Sequence, residues 1–189
     1  MITMKRFRYV VLLVFIGIFL GCGTSKKVVE PNMKLDQMMV EKAFEIKVKS
    51  AEPMITQALG QVANSGILPP GNTIARIDVT GSGYFIKVQG DSVSADLPYF
   101  GERQMGGGYN SDSGIKFNGL AKDMEVTKDE TKQRYTLNFT IDSSSENYFV
   151  LIEIGTNLSS TTSIRSSHRN RIRFIGDVNE LVAEDYAAN

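Results

Sequence analysis

Arg134-Tyr135-Thr136-Leu137-Asn138-Phe139-Thr140-Ile141 alternates polar and apolar residues without a break. Tyr135, Leu137, Phe139 and Ile141 therefore share one face, and a period of two is that of a strand with one face buried. Beyond it, Ser143 to Glu146 reads as a turn into Tyr148 to Ile154, where Phe149 and Leu151 fall opposite Tyr148, Val150 and Ile152. A strand apolar on both faces is expected to lie centrally. Leu158 to Arg165 is a Ser/Thr-rich strand, Ser167 to Asn170 the next turn, and Arg171 to Ile175 a strand that Gly176 ends. Asp177 is then expected to cap a short terminal helix carrying Val178 and Leu181.

Towards the N-terminus the same period recurs. Met124 and Val126, then Ile115 and Phe117, mark two short strands around Gly119, preceded by a long loop, Gly101 to Gly114. Val93, Ala95 and Leu97 form a strand that Pro98 ends, since a proline cannot donate to a ladder. Gln89-Gly90-Asp91-Ser92 reads as a tight hairpin into Tyr84, Ile86 and Val88, because Gly90 tolerates the positive φ such turns require. Ala75, Ile77 and Val79 alternate in a further strand, and Phe44, Ile46 and Val48 in the first. Between those two, Pro53 is expected to open a helix with Ile55, Leu59 and Val62 on one face; Leu35 to Ala43 is expected to form another. Nine or ten short strands at hairpin spacing predict an all-β domain. It should be mainly an antiparallel meander, folded into a sandwich or a curled, lipocalin-like barrel, with short N-terminal helices. The pattern leaves open which closure is used.

Lys5, Arg6 and Arg8 precede about a dozen apolar residues, Tyr9 to Leu20, the layout of a signal-peptide core. A span of the bilayer needs roughly 20 apolar residues, and Gly23 to Lys27 arrives too soon. Phe19-Leu20-Gly21-Cys22 resembles the bacterial lipobox, with Phe19 where leucine is usual, so Cys22 is expected to carry lipid and to become the mature N-terminus. Cys22 is the one cysteine of the chain and has no intramolecular disulfide partner. The expected organisation is a signal peptide over 1–21, a lipidated cysteine and tether over 22–34, and one β-rich domain over 35–189. A tether of that length reaches about 40 Å at most. Cleavage removes three basic groups and leaves 18 Lys and Arg against 21 Asp and Glu, a net charge of −3 that argues against nucleic acid as partner.

Phe44 to Pro53, Tyr84-Phe85-Ile86-Lys87-Val88, Leu97-Pro98-Tyr99-Phe100-Gly101, Gly114-Ile115-Lys116-Phe117 and Arg169 to Gly176 together resemble the domain of unknown function numbered 4251. That family occurs mainly in lipoproteins of Bacteroidetes. The resemblance runs over roughly 44–176 and implies an envelope location and a mostly β fold, with no active-site residue to carry over. In that phylum, acidic residues soon after the lipidated cysteine resemble a signal for surface export. Thr24-Ser25-Lys26-Lys27 lacks them, so the resemblance implies the periplasmic face of the outer membrane.

Four groups of residues are candidates for function. Tyr99 and Phe100, just past a strand end, form either an aromatic platform for a glycan, peptide or lipid chain or a plug in the end of the core. Tyr109 sits beside them in the glycine-rich loop Gly106 to Gly114, which lacks the lysine of a phosphate loop and the ligand spacing of a calcium loop. Arg171 and Arg173 alternate with Ile172 and Phe174 on one strand face, where they either pair with acidic neighbours or meet an anionic glycan or headgroup. His168 is the one histidine, which leaves one base for a triad and argues against a zinc site; Asp91, Asp96 and Glu102 are the carboxylates a hydrolase would draw on. The expectation is a membrane-anchored binding or structural domain without cofactor, metal or catalytic residue, facing an envelope protein or glycan. The alternative is a carrier with an apolar or glycan ligand inside a barrel, and a hydrolase ranks third.

Overall fold

The strand at the centre of the sheet is β1 (Ala43–Pro53), and it carries three antiparallel ladders. It pairs along its length with β10 (Ile172–Glu180), over its first half with β3 (Phe85–Gln89), and over its second half with the two-residue β2 (Ile77–Asp78). The computed structural model describes residues 29–57, 60–61, 71–105, 114–143 and 146–181. The remaining strands are β4 (Ser92–Leu97), β5 (Ile115–Leu120), β6 (Lys122–Asp129), β7 (Arg134–Asp142), β8 (Asn147–Ile154) and β9 (Ser159–Ser166). Their order is β5-β4-β3-β1-β10-β9-β8-β7-β6, with β2 off the path. Two hairpin meanders, β3–β5 and β6–β10, are thus joined through the first strand.

The sheet curls until β5, at one end of the order, meets β7 and β8 near the other at a seam, which makes a nearly closed barrel and not a sandwich. Side chains fill the seam: the Phe117 and Tyr148 rings lie 5.5 Å apart, and Gly119 stands next to Ile141. Inward positions of most strands are apolar and buried, among them Phe44, Ile46, Ile86, Leu137, Ile152 and Phe174, while β9 turns Ser160 and Thr162 inward beside Ile164 and β6 has no buried position. The hairpin at Gly90 forms as the sequence predicts, with Gly90 at φ 62°.

One end of the barrel is plugged by α1 (Met33–Glu41), which turns Leu35, Met38 and Met39 into the core. The Asn32 side chain accepts from the backbone N–H groups of Lys34 and Leu35, an N-cap that satisfies two otherwise orphaned donors. Asn32 Nδ2 also donates to Thr156 O at 2.8 Å, and Tyr135 Oη donates to Asp36 Oδ1 at 2.6 Å, with Lys128 Nζ at 3.0 Å. The Tyr135 and Lys128 hydrogen bonds hold the Asp36 carboxyl below its ordinary range. Helix and barrel are locked together by polar contacts as well as by burial.

Several sequence expectations are corrected. Pro53 closes β1, paired with Ile172, and does not open the expected helix; helical residues appear further on, at Gln57, Gly60 and Gln61, with Gly60 N–H donating to Thr56 O at 3.0 Å, while Leu59 and Val62 lie outside the described residues and α1 is the one helix whose whole span is described. Asp177 and Val178 do not start a helix: β10 continues to Glu180, because Phe44 to Val48 extend the ladder on that side. The strand around Ala75 to Val79 shrinks to Ile77–Asp78. β8 has strand neighbours on both sides, yet Phe149 and Leu151 face solvent, 43% and 39% exposed. Cys22 and the rest of the predicted signal segment lie outside the described residues.

Candidate functional site

At the end of the barrel opposite α1, Pro98 stops β4 and the chain folds back on itself. Tyr99 Oη donates to Glu102 O at 2.8 Å, with Asn170 O at 3.2 Å, so one phenol ties this segment to the turn before β10. Gly101 is required at the fold-back, because a Cβ there would sit 2.5 Å from Tyr99 Oη. The segment then pairs with residues 168–170: Gln104 N–H donates to His168 O at 2.8 Å, and Arg103 bridges to Arg169. Tyr99 and Phe100 are half-buried and pack on the core, the geometry of a plug. Tyr109 lies outside the described residues.

Beneath that plug is a buried ion pair that no local sequence pattern announces. Arg169 Nε stands 3.0 and 3.1 Å from the two carboxylate oxygens of Glu146, and neither side chain is more than 3% exposed. Tyr148 Oη donates to Glu146 Oε2 at 3.0 Å, Ser166 Oγ donates to Oε1, and the Arg169 guanidinium lies 5.0 Å from the Tyr99 ring centre. Burial pushes the Glu146 carboxyl up, but the Ser166 and Tyr148 hydrogen bonds and the Arg169 charge outweigh it and hold it below its ordinary value. Burial, then the hydrogen bond to Glu146 and its charge, pushes the Tyr148 phenol up to about 12. A carboxylate so fully engaged is stabilised as an anion and closed to solvent. Its chemistry here is to hold the plug.

Arg171 and Arg173 do share a face, the outer side of the barrel, but their surroundings differ. Arg173 donates to Glu52 at 2.7 Å across the β1–β10 ladder. Arg171 stands one step beyond the last β9–β10 pair, Ile164 with Ile172, Arg165 holds the equivalent step on β9, and both line one groove. Arg165 lies over the exposed Phe149 ring, 4.7 Å from its centre. The register then sets Phe149 between Arg165 and Thr140, and Leu151 between Ser163 and Asn138. Together these line an open groove of about 430 Å³, with Asp123 of β6 at its far side. Arg171 also borders a second groove of about 360 Å³ with Pro53, Met54, Ile55 and Arg173.

Other candidates are dispersed. Asp91 pairs with Lys42, Asp96 with Lys116, and Glu102 accepts from Thr56 Oγ1 at 2.7 Å. His168 is held through its backbone, its N–H donating to Ser166 Oγ at 3.2 Å. Among the described residues no three His, Cys, Asp or Glu side chains gather as a metal ion would require. The sequence missed Phe149 and Leu151 as surface residues; the signal was present, in the polar Asn138, Thr140 and Ser163 that turn out to flank them.

Comparison with known proteins gives the same fold. A family model described as "Domain of unknown function (DUF4251)" matches residues 29–178, which extends the resemblance seen in the sequence to include α1. The solved structure of a DUF4251 family protein from Bacteroides eggerthii DSM 20697 is similar at a TM-score of 0.52 and 12% identity. The likeness covers 77% of this chain and 84% of that one. No curated protein matches.

Proposed function

The chain belongs to the DUF4251 family, and from that footing we propose that it is an envelope lipoprotein, held by lipid on Cys22, whose barrel binds a partner or ligand on its outer face without performing chemistry. The observation that carries the reading is the contrast between a filled interior and an outward groove. Inward positions hold Phe44, Phe174, Ile46, Ile86 and other large side chains. A carrier would need small residues facing a gap. The groove at Phe149, Arg165 and Arg171 instead offers apolar surface and charge together, the composition of a binding site. The dispersal of Asp91, Asp96 and Glu102 to separate partners supports a binding role over hydrolysis, which needs two carboxylates facing one bond.

The anchor is tested separately from the groove. Each buried methylene of an acyl chain contributes about 0.8 kcal/mol, and two chains anchor stably. Cys22→Ala is therefore expected to move the protein from the membrane to the soluble fraction of fractionated cells. A membrane fraction unchanged by the substitution removes the lipid from the account.

A further inference from the structure

We infer that the outer-face groove docks an extended segment of a protein partner, in which an acidic side chain flanked by apolar residues sets its carboxylate between Arg165 and Arg171. This names the partner class for the binding role proposed above and rests on it.

Charge is the first argument. Most cations on the described surface already have a carboxylate: Lys34 has Glu180, Lys49 Asp177, Lys122 Asp142, Arg134 Glu153 and Arg173 Glu52. Arg165 and Arg171 have none among the described residues, and they line the same groove. Two arginines on one groove leave its positive charge uncompensated, and an incoming carboxylate can accept charge-assisted hydrogen bonds from them.

Shape is the second. Arg171 stands where two shallow grooves meet, one floored by Phe149 and Leu151, the other by Pro53, Met54 and Ile55. Phe149, Leu151, Met54 and Ile55 are all exposed. An acid at Arg171 would thus have apolar subsites on both sides, which fits an extended chain with alternating side chains and does not fit a compact anion. Asp123 at the far side of the first groove repels a second acid there, so the ligand's negative charge belongs at the arginine end.

Position is the third. The chain enters the barrel at the α1 end, through Asn32, whereas Arg171 lies at the opposite end beside the Tyr99 plug. A lipid on Cys22 would join the domain at the α1 end, so the arginine end is the one farther from that attachment.

The test uses the full chain carrying Cys22→Ala, so that no lipid contributes. Its binding is measured by fluorescence polarisation with a labelled nine-residue peptide pool, Asp fixed at the centre and Leu, Val or Phe on both sides, and with the same pool carrying Asn at the centre. The Asp pool is expected to bind about tenfold tighter or more. The double substitution Arg165→Gln with Arg171→Gln should erase that preference, and Arg76→Gln, an exposed arginine elsewhere, should leave it intact. Equal binding of both pools, or a preference that survives the double substitution, overturns the inference and leaves a binding domain with another site. Tighter binding to phosphatidylglycerol vesicles than to peptide, lost in the double variant, overturns it in favour of a membrane contact. Binding to neither overturns the inference and leaves the outer-face role to a ligand of another class.

Discussion

Glu146→Ala is expected to destabilise the protein by about 3–5 kcal/mol, because it leaves the Arg169 guanidinium buried with no counter-charge. The loss would not stop at the pair. Tyr148 Oη and Ser166 Oγ lose their acceptor, and the 168–170 segment that Tyr99 and Gln104 bind is positioned by the same arginine. Urea unfolding at pH 7 reads the cost as a fall in midpoint at constant slope. The effect has a pH signature. Glu146 is held below its ordinary value of 4.5 in the folded protein, so the unfolded chain takes up its proton first as pH falls. Its contribution is full above the unfolded value and is lost as pH drops below 4.5 through the folded value. Asp36 is also held low and contributes in the same direction, so the difference between wild type and Glu146→Gln isolates this residue. Wild type should lose stability more steeply than the variant over that acid window. Parallel pH profiles would show that the pair is neutral to folding.

Gly176→Val is expected to cost about 3 kcal/mol through overpacking, or roughly 6–12 °C in Tm for a domain of this size. A Cβ at this position would stand 2.5 Å from the carbonyl oxygen of Lys47 and 2.8 Å from Ile46 Cγ2. The obstacle is the backbone of the neighbouring strand, which cannot rotate away as a side chain could. The crowding has a local cause: the β1–β10 register shifts between Val48 and Ser50, directly opposite Gly176, and the bulge presses β1 against β10. Ser160 Oγ adds a bond to Gly176 O on the other side, at 3.1 Å. Gly119 is the control. Its nearest neighbour to an added Cβ is Ile141 Cδ1 at 3.8 Å, so Gly119→Ala should stay within about 1 kcal/mol of wild type. Thermal unfolding of the two variants side by side checks the contrast, and equal losses would contradict it.

The alternation of Tyr135, Leu137, Phe139 and Ile141 was enough to read an all-β fold, because a period of two reports burial on one face whatever the partner strand. Gly90 and Pro98 were legible for the same reason: their effect on the backbone is local. Gly176 was misread as a strand end, since a glycine that permits close approach looks identical in sequence to one that terminates. Strand pairing was legible between neighbouring hairpin strands, as at β3–β4 and β7–β8, and not beyond them. Arg173 and Glu52 are 121 positions apart, and nothing near either residue announces the ladder between the first and last strands. The Glu146–Arg169 pair escaped notice because its partners, 23 positions apart, meet only after β8 and β9 have paired. Arg171 and Arg173 were correctly given one face, but only the β1–β10 register shows that Glu52 occupies one of them. Phe149 and Leu151 looked central because hydrophobicity marks an apolar face without saying whether protein or solvent lies against it.

The central claim is that binding belongs to the outer face of a filled barrel, and native mass spectrometry of the Cys22→Ala protein, purified from the periplasm without detergent, tests it most directly. The account predicts the bare mass of the polypeptide, since side chains such as Phe44 and Phe174 occupy the space a carried molecule would need. A stoichiometric adduct of lipid or glycan mass that persists when Arg165 and Arg171 are both replaced would place a ligand inside the barrel and contradict it.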